Sequence, residues 1–218
     1  MEKVIFKPYV GKEYHNGYEG KKILILGESH NCGEIKPKCG IESECQQLDE
    51  CEFFIKEFLE RFFKYHKGIL KYEKWMITFK RFTNIFLGKK SSPEELINFW
   101  DSVMFYNYVQ NAMRRSRIAP KNDYYENSKE AFFEVLKEYK PDLIIIWGKR
   151  LEGKLPNENK TDADIQTSNI PGKIFYYETE GKKIPAYAIY HPSSPAFSYK
   201  SHAHLRCFLQ ICEKQRFQ

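Results

Sequence analysis

The sequence lacks an uninterrupted apolar segment long enough to cross a membrane. Its longest aliphatic run, Leu143 to Trp147, is far shorter than the roughly 20 residues of a transmembrane helix. The N-terminal residues MEKVIFKPYV lack the apolar core of a secretory signal. We therefore expect a cytoplasmic protein without a membrane partner.

Internal repeats, low-complexity tracts and Gly/Ser linkers are also missing. The 218 residues are 42% hydrophobic and 29% charged, a composition that excludes wholesale disorder. A chain of this length buries a sufficient core by itself. We expect one domain spanning residues 1–218, and a monomer.

A closely spaced cysteine pair is absent, although the chain has six cysteines. Cys32, Cys39, Cys45 and Cys51 are separated by five or six residues, whereas zinc sites usually contain a Cys-x2-Cys pair. Free thiols are the favoured interpretation, and no cofactor is predicted. A metal site formed by Cys32, Cys39 and Cys45, with His30 as a further ligand, stays open as an alternative.

Basic and aromatic residues are plentiful. The chain has 35 Lys and Arg against 29 Asp and Glu, a net charge of +6, and it has 15 Tyr, 17 Phe and 3 Trp. Basic groups bind phosphates and aromatic rings stack on bases, so this mixture favours a nucleic-acid partner.

Short apolar runs alternate with amphipathic segments along the chain. Strands are predicted at residues 22–27, 102–106, 143–147, 173–178 and 184–190. Helices are predicted at residues 48–64, 69–86, from Ser92 onward, 127–139 and 201–214, with a surface loop at 151–170. The alternation predicts an α/β fold, specifically a three-layer α/β/α sandwich with a mostly parallel central sheet.

Polar clusters follow several of these strands. Gly27-Glu28-Ser29-His30-Asn31 comes after the first, Asn107 after the second, and His191-Pro192-Ser193-Ser194 after the last. Working residues of parallel sheets lie beyond the carboxyl ends of the strands. We expect these clusters to converge.

GESHN at 27–31, FYN at 105–107, PDLIIIWG at 141–148 and YHPSSP at 190–195 together resemble the uracil-DNA glycosylase superfamily. The resemblance covers roughly residues 20–210 and implies that fold, a DNA partner and excision of a damaged base such as uracil or a deaminated purine. Such enzymes flip the base out of the stack and stabilise its departing anion. By resemblance, His191 would donate to the base oxygen where charge develops, and Asn107 would hold the base edge.

The resemblance also assigns the surrounding residues. Gly27, Asn31, Tyr106 and Pro192 would complete the base pocket, and Ser193 and Ser194 would bind a flanking phosphate. Phe197 or Tyr199 would fill the gap in the duplex. The alternatives are structural: His191 capping a turn, Asn107 ending a strand, and either aromatic residue in the core. Arg114, Arg115 and Arg117 would contact the DNA backbone or form a solvated basic face.

The first motif departs from the superfamily pattern. Ser29 stands where Asp, Asn or Ala is usual, and His30 stands where proline is usual. Serine is a poor general base, so Glu28 or His30 could position the water instead. Some branches of the superfamily need no strong base, because base departure is itself the difficult step. The cysteine spacing does not match the iron–sulfur branch either.

Two other functions stay open. Gly27 to Asn31 is one residue away from the Gly-x-Ser-x-Gly elbow of α/β-hydrolases, in which Ser29 would be the nucleophile and His191 or His202 its base. The other is a protein of the glycosylase fold that binds nucleic acid or a nucleotide without cleaving it.

Overall fold

The structure, a computed structural model, describes residues 1–31, 51–113, 118–163 and 170–215. Its helices are α1 (Phe54–His66), α2 (Met76–Leu87), α3 (Pro93–Asp101), α4 (Asn122–Asn127), α5 (Lys129–Tyr139), α6 (Lys149–Glu152) and α7 (Lys200–Gln215). Its strands are β1 (Tyr9–Val10), β2 (Ile23–Gly27), β3 (His30–Asn31), β4 (Met104–Asn107), β5 (Ala112–Met113), β6 (Leu143–Trp147), β7 (Lys160–Asp162), β8 (Ile174–Thr179) and β9 (Lys182–Ile189).

Seven of the described strands form the central sheet, in the order β1-β4-β2-β6-β9-β8-β7. The four inner strands β4, β2, β6 and β9 run parallel. The outer strands β1, β8 and β7 pair antiparallel to their neighbours. β3 and β5 form a separate parallel pair. The sheet is thus parallel in its centre and antiparallel towards its edges.

Successive residues of the inner strands point to opposite faces, which creates two cores. Ile23 and Ile25 pack with α1, α2, α3 and α7 on one face. Leu24 and Leu26 pack with α4 and α5 on the other. Both faces of β2 are fully buried, which explains its continuous apolar sequence. Helices therefore cover both faces, as the predicted three layers require.

Several predicted elements are confirmed at or close to their bounds. The runs at 22–27 and 143–147 are β2 and β6, and the two later runs are β8 and β9. Ser92 caps α3: Glu95 N–H donates to Ser92 Oγ at 3.2 Å, and Ser92 N–H donates to Glu95 Oε2 at 2.8 Å. This reciprocal pair is the predicted capping box.

The helix predicted at 69–86 starts later, at Met76. Gly68, with φ 75°, follows the end of α1, and the apolar residues after it face solvent. Ile69 is 65% exposed and Tyr72 50% exposed. Their helical spacing therefore did not reflect a buried face.

Other boundaries differ as well. The helix predicted at 127–139 is interrupted at buried Ser128, whose Oγ donates to Tyr124 O at 2.6 Å and accepts Gln110 N–H at 2.9 Å. The strand predicted at 102–106 is Met104–Asn107, because Ser102 still closes α3.

The predicted loop at 151–170 contains the end of α6 and all of β7, and its residues 164–169 lie outside the described part of the chain. The predicted helix at 48–64 is α1, and residues 48–50 are also outside the described part.

No helix among the described residues is both long and apolar enough to span a bilayer.

Candidate functional site

The carboxyl ends of the four parallel strands lie at one edge of the sheet. Gly27 is in register with Asn107, and Trp147 is in register with Ile189. The polar residues that follow these strands therefore emerge side by side. Their contacts define the candidate site.

Asn107 is positioned by its two neighbours in the first motif. A Cβ at Gly27 would overlap its carboxamide oxygen, so the glycine provides the space that this side chain occupies. Asn107 Nδ2 lies 3.3 Å from His30 Nδ1. Because an amide nitrogen only donates, Nδ1 of His30 accepts and the proton of the neutral ring is on Nε2.

His30 is 1% exposed, between the rings of Phe6 (centroid distance 4.2 Å) and Phe54 (5.6 Å). Burial lowers the pKa of His30 to about 3, so the ring is neutral at physiological pH. Its Nε2 has no hydrogen-bond partner among the described residues. A side chain so enclosed does not contact a catalytic water, which corrects the predicted water-positioning role. It orients Asn107 instead.

His191 is held by the turn that follows it. Ser193 contacts His191 Nδ1 with its Oγ at 2.7 Å and with its backbone N–H at 3.2 Å. Because a backbone amide can only donate, Nδ1 accepts, and Nε2 carries the proton of the neutral ring. The ring stands edge-on to Trp147, at a centroid distance of 5.8 Å. His191 therefore presents Nε2 as a fixed N–H donor.

The charge state of His191 depends on two neighbours. Burial lowers the pKa of His191, the Glu28 carboxylate opposes that shift, and the Arg150 guanidinium adds to it. The lowered pKa favours the neutral donor form at pH 7.

Glu28 is the centre of a charged cluster. Arg150 Nε donates to Glu28 Oε1 at 2.8 Å, and its Nη2 donates to Oε2 in a bidentate ion pair. Tyr125 donates its hydroxyl to Oε1 at 2.7 Å. Burial, with Glu28 beside it, raises the pKa of Tyr125 and keeps that hydroxyl protonated. Glu28 therefore accepts hydrogen bonds from two residues, and its role in positioning the water stays a prediction.

Sequence reasoning missed Arg150 and Tyr125. Arg150 lies just past Gly148, at the end of a parallel strand, so the rule that identified Asn107 and His191 could also have identified it. Tyr125 comes from α4, and no sequence signal links that helix to the sheet edge.

The remaining first-motif residues are placed differently. Ser29 is half-buried, and Asn31 pairs with Met113 in the small sheet. Tyr106 is fully buried in the core that contains α4 and α5. Its side chain therefore does not contact a substrate, contrary to the prediction.

The loop after His191 is a compact turn. Ser194 N–H donates to His191 O at 2.7 Å, and Ser193 is exposed. Arg81 of α2 secures the loop by donating to Pro192 O at 3.0 Å and to Phe197 O. Pro192 is buried, Ser194 is half-buried, and Ser193, Pro195 and Ala196 are exposed.

Phe197 belongs to the core. It is 0% exposed and stacks on Phe82, with an interplanar angle of 15°. The predicted insertion of Phe197 into DNA is therefore corrected, because its ring fills the space between the sheet and α2. Tyr199, the other predicted aromatic residue, is 59% exposed.

The hydrolase geometry is not formed. Ser29 is followed by β3 rather than by a helix, and it is not among the described residues with positive φ. His202 Nδ1 lies 3.0 Å from the carbonyl oxygens of Ile85 and Phe86, at the end of α2. His191 carries its proton on Nε2, whereas a triad base must accept there.

Some predicted residues lie outside the described part of the chain: Arg114, Arg115, Arg117, Cys32, Cys39 and Cys45. Cys51 is buried against Phe6 and Ala112. Among the described residues, no group of three or more His, Cys, Asp and Glu side chains could hold a metal ion.

Comparison with known proteins does not identify a family. No protein-family model matches the chain, and no curated protein matches it.

Proposed function

We propose that this protein is a DNA base glycosylase with the fold of the uracil-DNA glycosylase superfamily, acting on uracil or a deaminated purine. The observation that carries the proposal is the fixed tautomer of His191, a neutral imidazole whose Nδ1 is held by Ser193. The four-motif resemblance supports it, and so does the position of Asn107 and His191 at the same edge of the sheet.

The chemistry requires a donor rather than a base at His191. As the C1′–N bond breaks, its electron pair moves onto the departing base and negative charge builds on a carbonyl oxygen of the base. A preorganised N–H donor stabilises that charge as an oxyanion hole does. Nε2–H of His191 is such a donor, and the turn holding Nδ1 limits its reorientation during the reaction.

Asn107 would bind the edge of the flipped base. One of its amide hydrogens is directed at His30, which leaves the second hydrogen and the carboxamide oxygen as the donor and acceptor pair. Ser194 would bind the adjacent phosphate with its hydroxyl group, because the Ser193 hydroxyl already donates to His191 Nδ1.

Water activation contributes little in this proposal. Glu28 already accepts from Arg150 and Tyr125, His30 is enclosed, and Ser29 is a weak base. The site would therefore accelerate base departure, and water would add to C1′ afterwards.

Excision from oligonucleotides carrying uracil, hypoxanthine or xanthine tests the proposal. Alkali converts abasic product into strand breaks, which gel electrophoresis resolves. His191→Ala should lower the rate about 10²- to 10³-fold. Asn107→Ala should also lower the rate, whereas His15→Ala at an exposed position should not. Product formation that is unaffected by His191→Ala would contradict the proposal.

The second candidate is a protein of the same fold that binds nucleic acid or a nucleotide without cleaving it. The engagement of Glu28 with Arg150 and Tyr125 favours this alternative, because it removes the carboxylate available to activate water. Binding that weakens steeply with salt, with no abasic product from any of the three lesions, would support it.

A further inference from the structure

A cavity of about 310 Å³ lies between α2 and the segment that follows the His191 turn. Its lining includes Ile77, Lys80 and Arg81 from the helix and Tyr199 from the segment. We propose that this cavity binds an unpaired nucleobase of the DNA strand, next to the nucleotide whose phosphate Ser194 would bind. The proposal rests on the function proposed above and extends its binding surface.

The side chains at the cavity suit a flat aromatic ligand. Tyr199 is 59% exposed and Ile77 is 49% exposed, so both present apolar surface to solvent. A base can stack on the tyrosine ring whatever its sequence identity, because every base has a π-face.

The charge at the cavity suits a phosphate backbone, because Lys80 and Arg81 line it and none of its lining residues is acidic. Residues 64–81 contain five lysines and Arg81 but only one acidic residue, Glu73. Glu73 pairs with Arg61 at 2.5 Å, which neutralises it. Four of the five lysines are exposed, and none of the five forms an ion pair with a residue in the described ranges. Lys80 is the lysine that lines the cavity itself.

Arg81 connects the cavity to the candidate site. It lines the cavity, and its guanidinium donates to Pro192 O and Phe197 O on either side of the two serines. A strand passing over Ser193 and Ser194 would therefore meet the cavity next. This continuity and the positive charge identify a strand of DNA as the occupant.

The larger cavity, of about 910 Å³, does not share these features. It is lined by α5 and by the β8–β9 hairpin turn, at the opposite end of β9 from His191. Four glutamates and two lysines line it, so its charge does not favour a polyanion.

Photocrosslinking and binding to an undamaged strand test the proposal. A thymidine oligonucleotide of about twelve nucleotides, with one 5-iodouracil, should crosslink to Tyr199 on irradiation, as peptide mass spectrometry would show. By fluorescence anisotropy, Tyr199→Ser should weaken binding of the labelled oligonucleotide about tenfold, and Tyr199→Phe should not, because it keeps the ring.

Lys80→Gln should reduce the slope of log K against log salt by about 0.7, the contribution of one phosphate contact to a single strand. Lys183→Gln is the matched control, an exposed lysine at the start of β9 and far from the cavity. Equal effects of the two substitutions would overturn the proposal. Thymidine monophosphate binding as tightly as the oligonucleotide would also overturn it, because the strand would then be irrelevant.

The two proposals fail separately. Abasic product together with unchanged oligonucleotide affinity in Tyr199→Ser would overturn the cavity proposal and leave the glycosylase proposal standing. Tyr199-dependent binding and crosslinking without abasic product would overturn the glycosylase proposal while supporting the cavity.

Discussion

Asn107 Nδ2 and His30 Nδ1 lie 3.3 Å apart, and His30 is sealed from solvent at 1% exposure. The polar side chain at the end of β4 is thus oriented by a residue that itself contacts no solvent. Because His30 stays neutral, its Nδ1 accepts and the Asn107 amide keeps one orientation. This relationship gives the first motif a positioning role.

Stability should depend on pH through His30. Burial lowers the pKa of His30 to about 3, whereas an unfolded histidine has a pKa of about 6.5. As pH falls below about 6.5, the unfolded state binds the proton first, and the free energy of unfolding falls by up to about 1.4 kcal/mol per pH unit. The loss continues until the folded residue titrates near pH 3.

Urea unfolding across this pH range, compared between the parent protein and His30→Leu, measures this contribution. The variant should lose stability less steeply as pH falls. Phe132→Leu changes a buried ring in the core on the α4 and α5 side and adds no titratable group, so it should lower stability equally at every pH. Parallel curves for His30→Leu and the parent would refute the assignment.

Gly27→Ala should displace the Asn107 side chain. The new methyl group would overlap the carboxamide oxygen, and the strain should lower the free energy of unfolding by about 1–3 kcal/mol. In the Asn107→Ala background the same substitution should be less destabilising. Gly153→Ala is the control, because its Cβ would have ordinary contacts at 3.7 Å. Equal losses in both backgrounds would contradict the predicted contact.

The Glu28–Arg150 ion pair should tune His191. Glu28 opposes the lowering of the His191 pKa, and Arg150 adds to it. Arg150→Gln should therefore raise the pKa of His191, and Glu28→Gln should lower it further. NMR titration of the His191 ring proton follows both changes. Lys149→Gln, at the neighbouring residue, which pairs with Glu152 at 3.2 Å, should have little effect. Shifts of the same sign in both variants would exclude this electrostatic coupling.

Truncation of Phe197 should lower the stability of the protein far more than truncation of Tyr199. Phe197→Ala removes a fully buried ring and should destabilise the protein by about 3–5 kcal/mol. Tyr199→Ala removes an exposed ring and should change stability by about 0.5 kcal/mol or less. Thermal or urea unfolding of the two variants distinguishes core from surface. Comparable losses would show that Tyr199 also packs in the core.

Local patterns predicted the central elements well. The continuous apolar runs of β2 and β6 are strands buried on both faces, and the Ser92-Pro93-Glu94-Glu95 sequence closes a capping box. These features depend on residues close together in the chain. The helical spacing of Ile69 and Tyr72 led to a wrong helix start, because both side chains are exposed and do not form a buried helix face.

The sequence by itself determined the parallel core of the sheet and the three polar clusters at its carboxyl edge, because strand-forming runs and the residues that end them are local. Only the tertiary structure decided the surroundings of each candidate residue. His30 became enclosed, Glu28 became paired with Arg150 and Tyr125, and Phe197 turned inward. The burial and pairing of these side chains depend on residues distant in the chain, here Phe6, Arg150 and Phe82. Neither the spacing nor the type of the residues predicts such long-range contacts.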